Sequence, residues 1–209
     1  MVLDAYRHLA DAVLDPIAAR FEGMTPDAIS WLALICAFGA GAFFFLGGGT
    51  YLLLGASFVF LNALFDALDG KVAKRTGRAS SRGDFLDHVL DRYADVLMLG
   101  GIALGRYCPP WLGLLAIVGV FLTSYMGTQA QAVGAKRDYG GLLGRADRLV
   151  ILILAVLLQA ALDPGATVAI GVGALTLTVL GWAMVLFAVL GNVTAIQRAA
   201  STWRHLSGP

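Results

Sequence analysis

Long apolar runs, broken by short charged or glycine- and proline-rich connections, constrain this chain more than any other feature. A bilayer core about 30 Å thick is crossed by roughly 20 mostly apolar residues in a helix rising 1.5 Å per residue. Six segments fit that ruler: 28–47, 51–68, 88–105, 111–133, 148–163 and 167–195. Between them lie Gly47-Gly48-Gly49, the charged stretch 69–86, Cys108-Pro109-Pro110, the stretch 134–147 and Asp163-Pro164-Gly165. Composition agrees, since 58% hydrophobic and 14% charged residues with a mean hydropathy of +0.77 exceed what a soluble domain of 209 residues carries. The expected fold is an all-α integral membrane protein with six transmembrane helices.

Residues 1–22 differ from the rest. Val2, Leu3, Tyr6, Leu9, Val13, Leu14 and Ile17 recur at helical spacing against Asp4, Arg7, Asp11 and Asp15, which predicts an amphipathic helix at the membrane surface or packed on the protein's own face. Acids and bases run through this segment, so it lacks the pattern of a signal peptide. The 26 glycines, many inside apolar runs, suit close helix packing in lipid. No internal repeat interrupts the chain, so one domain over 1–209 is expected: the amphipathic helix, a six-helix bundle over 28–195 and a cytoplasmic tail over 196–209.

Charge sets the orientation. Lys71, Lys74, Arg75, Arg78, Arg82, Arg92, Lys136, Arg137, Arg145, Arg148, Arg198 and Arg204 join Arg7 and Arg20 on one side of a six-span arrangement, and Arg106 alone falls on the other. The positive-inside rule then makes both termini and the second and fourth connections cytoplasmic. A net charge of +1 and the lack of a basic patch with interleaved aromatics exclude nucleic acid as a partner. Cys36 and Cys108 are too far apart for a disulfide framework or a thiolate metal site.

The chemistry is concentrated in residues 66–95, DALDGKVAKRTGRASSRGDFLDHVLDRYAD, where six aspartates stand at the ends of apolar segments. A charge there costs several kcal/mol and is retained for a function. Asp66 and Asp69, three apart, share one helical face, and Asp87, Asp91 and Asp95, spaced by four, share another. Joining those faces gathers four or five carboxylates, whose mutual repulsion calls for bound cations. The donors are hard oxygens, and His88 is turned about 100° from Asp87 on the helix, so Mg²⁺ or Mn²⁺ in a two-metal site is expected over zinc. Intramembrane acids also mark ion pathways, which leaves a cation transporter as the non-enzyme alternative.

Asp66-x2-Asp69-Gly70-x2-Ala73-Lys74-x8-Gly83-x3-Asp87-x3-Asp91 resembles the signature of the CDP-alcohol phosphotransferases, and departs from it only at Lys74, where the family has arginine. Thr25-Pro26-Asp27, ahead of the first span, resembles the Thr-Pro-Asn-type start of that family. The resemblance implies transfer of a phosphoalcohol group from a CDP-linked donor, such as CDP-diacylglycerol, CDP-archaeol or a soluble CDP-alcohol, to the hydroxyl of a second alcohol with release of CMP. It implies Asp66, Asp69, Asp87 and Asp91 as metal ligands, and Asp91 also as general base. Asp69, Gly70, Ala73, Lys74 and Gly83 would hold the CDP moiety, and Asp84, outside the signature, is read as a helix cap or as a further contact of the nucleotide. Many relatives in the family are homodimers. Asp95 is read as an ion-pair partner. The pattern Gly141-x3-Arg145-x2-Arg148, with Arg198, resembles the segment of family members that accept inositol phosphate. Lys136 and Arg137 are weaker candidates for the same pocket. A phosphorylated polyol, inositol phosphate or glycerol phosphate, is the acceptor so implied. Those enzymes carry basic side chains where this chain has Gly127 and Gln129, which leaves serine or another unphosphorylated alcohol as the alternative.

Overall fold

The computed structural model describes residues 7–135, 140–162, 166–169 and 176–207. Seven helices dominate it: α1 (Arg7–Phe21), α2 (Pro26–Leu46), α3 (Gly49–Arg75), α4 (Ser81–Leu104), α5 (Pro110–Ala132), α6 (Arg145–Leu162) and α7 (Val179–Leu206). Two short strands, β1 (Thr167–Ala169) and β2 (Thr176–Thr178), pair antiparallel ahead of α7, with Thr167 opposite Thr178 and Ala169 opposite Thr176.

Local chemistry fixes the helix starts. Thr25 caps α2 by accepting from Ala28 N, Pro26 fills the first turn, where no N–H is needed, and Asp27 faces the positive helix end. Ser80 caps α4 by accepting from Gly83 N at 3.1 Å. Thr178 caps α7 by accepting from Gly181 N and donates to Tyr107 O, which ties α7 to the α4–α5 connection. At the end of α2 Gly47 takes φ of 68°, a conformation that a side chain would disfavour.

α2 packs between α3 and α4, α5 pairs with α7, and α6 joins α3 to α7. Two glycine contacts set the closest approaches. A Cβ on Gly101 of α4 would collide with the backbone of Gly41 in α2, and one on Gly191 of α7 would lie 2.8 Å from the backbone of Gly119 in α5. Phe44, Leu52, Met98, Ile102, Leu180, Met184 and Phe187 fill the interior. Phe38, Phe45, Leu114, Leu154, Leu158 and Ile196 face outward, as lipid contact requires. α1 lies on the protein: Leu14, Ile17, Ala18 and Phe21 pack with Leu68 and Val72 of α3 and Ile29 of α2. Ion pairs join Lys71 to Asp15 at 2.6 Å and Arg75 to Glu22 at 2.7 Å.

The protein is helical, and four of its helices, α2, α3, α5 and α7, are long and apolar enough to cross a membrane. Two expectations change. The segment 167–195 is not one helix: residues 167–169 and 176–178 are strands, the helix begins at Val179, and it continues through the expected tail to Leu206. Apolar content alone cannot separate strand from helix, and 167–178 is rich in threonine and valine, which favour extended backbone. Gln159 fastens the strand pair at both flanks, its amide donating to Ala166 O at 3.1 Å and its oxygen accepting from Val179 N at 2.7 Å. Residues 69–86 are also mostly helical, because α3 runs on to Arg75 and α4 starts at Ser81. All six aspartates of the cluster therefore stand on rigid helix.

Candidate active site

The site forms where the C-terminal half of α3, the N-terminal half of α4 and the first turn of α6 meet, below the start of α2. Asp66, Asp69, Asp87 and Asp91 line one cavity together with Ser30, Asn62 and Arg145. Helix spacing explains the convergence: the three-residue step on α3 and the four-residue step on α4 each turn their carboxylates to one face. Ser30 Oγ donates to Asp69 Oδ2 at 2.5 Å, and Asn62 Nδ2 donates to Ala33 O at 2.9 Å, which sets α3 against α2 beside the cavity.

Three arginines enter this acidic wall. Arg145 Nη1 lies 2.6 Å from Asp66 Oδ2 and 2.7 Å from Asp91 Oδ1, so it links α3 to α4. Arg148 Nη2 pairs with Asp95 Oδ2 at 3.0 Å, and both side chains are buried. Arg92 Nη2 stands 3.5 Å from Asp91 Oδ2 and 3.8 Å from Asp95 Oδ2. Five carboxyl groups thus face three guanidinium groups in a partly buried place, an excess of two acidic side chains. Such an excess, made of hard oxygens, fits one or more divalent cations. Asp87, His88 and Asp91 also bring one ligand atom each within 4.8 Å of one another. His88 is nearer to the carboxylates than its helical position suggests, with Nδ1 3.7 Å from Asp87 Oδ2 and Nε2 3.8 Å from Asp84 Oδ1.

The remaining sequence candidates divide. Gly70 is exposed, and a Cβ there would meet nothing within 4 Å, while one on Gly83 would come no nearer than the 3.4 Å to its own cap Ser80. Both glycines therefore leave open surface beside the carboxylates. Ala73 is half-buried one turn on from Asp69, and Lys74 and Asp84 are exposed. Asp95 makes the expected ion pair. Arg198 does not reach the carboxylates: it donates from Nε to Gly140 O at 2.8 Å and from Nη1 to Thr123 O at 2.7 Å, and so holds the α5–α6 connection. Lys136 and Arg137 lie outside the described residues. Arg92 and Ser30 are site residues that sequence reasoning passed over, and His88 is one that it turned away from the carboxylates. The spacing Asp91-Arg92-x2-Asp95 was the available signal for Arg92.

This arrangement coincides with a family pattern, since the profile of the CDP-alcohol phosphatidyltransferases matches residues 23–196. The chain belongs to that family. It is an enzyme, a transferase of phospholipid biosynthesis. It is 30% identical over 205 residues to the archaetidylinositol phosphate synthase of Methanothermobacter thermautotrophicus, covering 98% of this chain and 96% of that one. It is 30% identical over 211 residues to the phosphatidylinositol phosphate synthase of Cutibacterium acnes, covering 97% and 98%. The phosphatidylinositol phosphate synthase of Mycobacterium tuberculosis has the same fold. Its crystal structure with CDP-DAG bound superposes with a TM-score of 0.73 at 26% identity over 92% of this chain and 94% of that one. Its complex with manganese and citrate gives 0.74 at 27%, over 91% and 88%. The phosphotransferase resemblance is thereby established, and the transporter alternative falls away.

Proposed function

We propose that this transferase moves the phosphatidyl-type group of a CDP-linked lipid, CDP-diacylglycerol or CDP-archaeol, onto a hydroxyl of a phosphorylated polyol, with inositol phosphate favoured, and releases CMP. The observation that carries the choice of acceptor is the placement of Arg145 and Arg148 three apart at the start of α6, Arg145 in contact with Asp66 and Asp91 and Arg148 paired with Asp95 one turn further along α4. Two guanidinium forks beside a reacting hydroxyl suit a phosphate dianion and have no counterpart in the needs of a neutral alcohol. The curated relatives that make inositol phosphate lipids support the same reading.

In this reading Asp66, Asp69, Asp87 and Asp91 hold two Mg²⁺ or Mn²⁺ ions, as hard carboxylate oxygens from two helices suit. The ions, when bound, neutralise the diphosphate and stabilise the charge that grows on it. Gly70 and Gly83, with open surface above them, let the CDP moiety approach the helix backbone, and Ala73 keeps that face low. Lys74 and Asp84 lie at its exposed rim. Asp91 accepts the proton of the acceptor hydroxyl, and Ser30 fixes the orientation of Asp69. Arg148, locked by Asp95, and Arg145 receive the acceptor phosphate. Arg198 acts from behind by holding the connection that leads into α6, the same connection that carries Lys136 and Arg137.

The whole chain, 1–209, acts as one domain with six spans, α4 and α6 joining the four apolar helices. Their charged first turns lie at the cytoplasmic membrane face, and the protein works as a homodimer in the bilayer. An acceptor panel tests the proposal: purified protein with CDP-diacylglycerol and Mn²⁺ is offered inositol phosphate, glycerol phosphate, inositol and serine, and CMP is measured. Turnover of a phosphorylated polyol well above the neutral alcohols is the expected result. Efficient use of serine or inositol with both phosphates inert overturns it.

A further inference from the structure

Arg145 makes the shortest ion pairs of the site, and both go to carboxylates that the proposed function gives to metal. One guanidinium nitrogen lies 2.6 Å from Asp66 and 2.7 Å from Asp91, so it bridges the two helices from which the ions would be held. Its other nitrogens, Nε and Nη2, are buried without a hydrogen-bond partner. Orphaned buried donors cost about 1–3 kcal/mol each, more when charged. Arg92 Nε, on the residue that also borders Asp91, is buried and unpartnered as well. The observed arrangement thus satisfies the carboxylates and leaves the guanidinium groups with N–H donors to spare. A tetrahedral dianion offers several acceptors at once and satisfies such donors in pairs.

We propose that Arg145 is an exchangeable counter-cation: it neutralises Asp66 and Asp91 until divalent metal takes those oxygens, and the released guanidinium then grips the phosphate of the acceptor. The inference rests on the reading of Asp66 and Asp91 as metal ligands. Its physical basis is competition for the same oxygens, because a fork from α6 and an ion coordinated by α3 and α4 cannot both use Asp66 Oδ2 and Asp91 Oδ1 fully. A divalent ion brings two charges where Arg145 brings one. Metal and acceptor phosphate each favour the arrangement in which Arg145 has left the carboxylates, so each strengthens the binding of the other. The acceptor is then held tightly only once the metal that activates the reaction is in place.

The experiment measures Mn²⁺ binding by electron paramagnetic resonance on detergent-solubilised full-length protein without donor, in the presence and absence of sulfate as a phosphate-like dianion. Wild type, Arg145→Met and Arg145→Lys are compared. Wild type should bind Mn²⁺ about 5- to 10-fold tighter in saturating sulfate, a typical coupling between linked sites. Arg145→Met should bind Mn²⁺ at least tenfold tighter than wild type without sulfate, and sulfate should then change its affinity less than twofold. Arg145→Lys keeps the charge but shortens the reach and loses the fork, so it should show raised Mn²⁺ affinity with a weakened sulfate effect, and it decides the matter if the methionine variant does not fold. Unchanged Mn²⁺ affinity in the variants, or a sulfate effect that survives in Arg145→Met, overturns the proposal, since the coupling would then arise from direct contact of anion with metal. Failure of wild type to bind Mn²⁺ would instead refute the metal reading on which it rests.

Discussion

Asp91 meets Arg145 on one oxygen and faces Arg92 with the other, so its carboxylate is anchored between α4 and α6. The proposed function makes Asp91 the general base. Asp91→Asn preserves shape and removes basicity, so turnover should fall by at least about 10²-fold, the usual contribution of a general base, while binding of the CDP donor survives. Near-normal turnover in that variant removes Asp91 from the proton transfer. Arg148 calls for a different substitution. Truncation to alanine would strand buried Asp95, a loss of about 3–5 kcal/mol in stability that would obscure any effect on substrate. Arg148→Lys keeps a cation beside Asp95 and loses the fork. It should raise acceptor KM tenfold or more with donor KM little changed, and equal effects on both would contradict an acceptor role.

At the scale of elements, the distance between α2 and α4 decides whether the carboxylates of α3 and α4 can meet. Gly101→Leu would drive a side chain into the backbone of Gly41. We expect a cost of about 1–3 kcal/mol from overpacking, seen as a lowered thermal unfolding midpoint in detergent, together with weaker Mn²⁺ binding; an unchanged midpoint would mean that this contact does not set the spacing. The sequence made these helices legible where local signals act alone: the apolar runs of α2 and α5, and the aspartate steps of three and four. It did not disclose what depends on distant partners. Arg145 finds Asp66 across 79 positions, and Arg148 finds Asp95 across 53, so no local spacing foretells either pair. The strands β1 and β2 were hidden for another reason. They lie within an apolar stretch, 167–178, that continues into α7 without a charge, and the side-chain bonds of Gln159 to both flanks help to hold the strand pair there.

For the whole molecule, the charged ends of α3, α4 and α6 form one face, and the end of β2, with Thr178 bonded to Tyr107, lies at the other end of the helices. Single cysteines placed at Arg82 and at His205 should therefore react with a membrane-impermeant thiol reagent from the cytoplasmic side only, and one at Arg106 from the opposite side only. Labelling of Arg82 and Arg106 positions from the same side would refute the six-span arrangement. The most direct test of the central claim, that aspartates holding divalent metal drive transfer from a CDP-linked lipid, is CMP release by the purified protein with CDP-diacylglycerol and inositol phosphate, before and after chelation. The account predicts that release stops when metal is removed and returns with Mg²⁺ or Mn²⁺, with a phosphatidylinositol phosphate mass appearing in step with CMP. Undiminished release in metal-free buffer, or metal-dependent release without the lipid product, would contradict it.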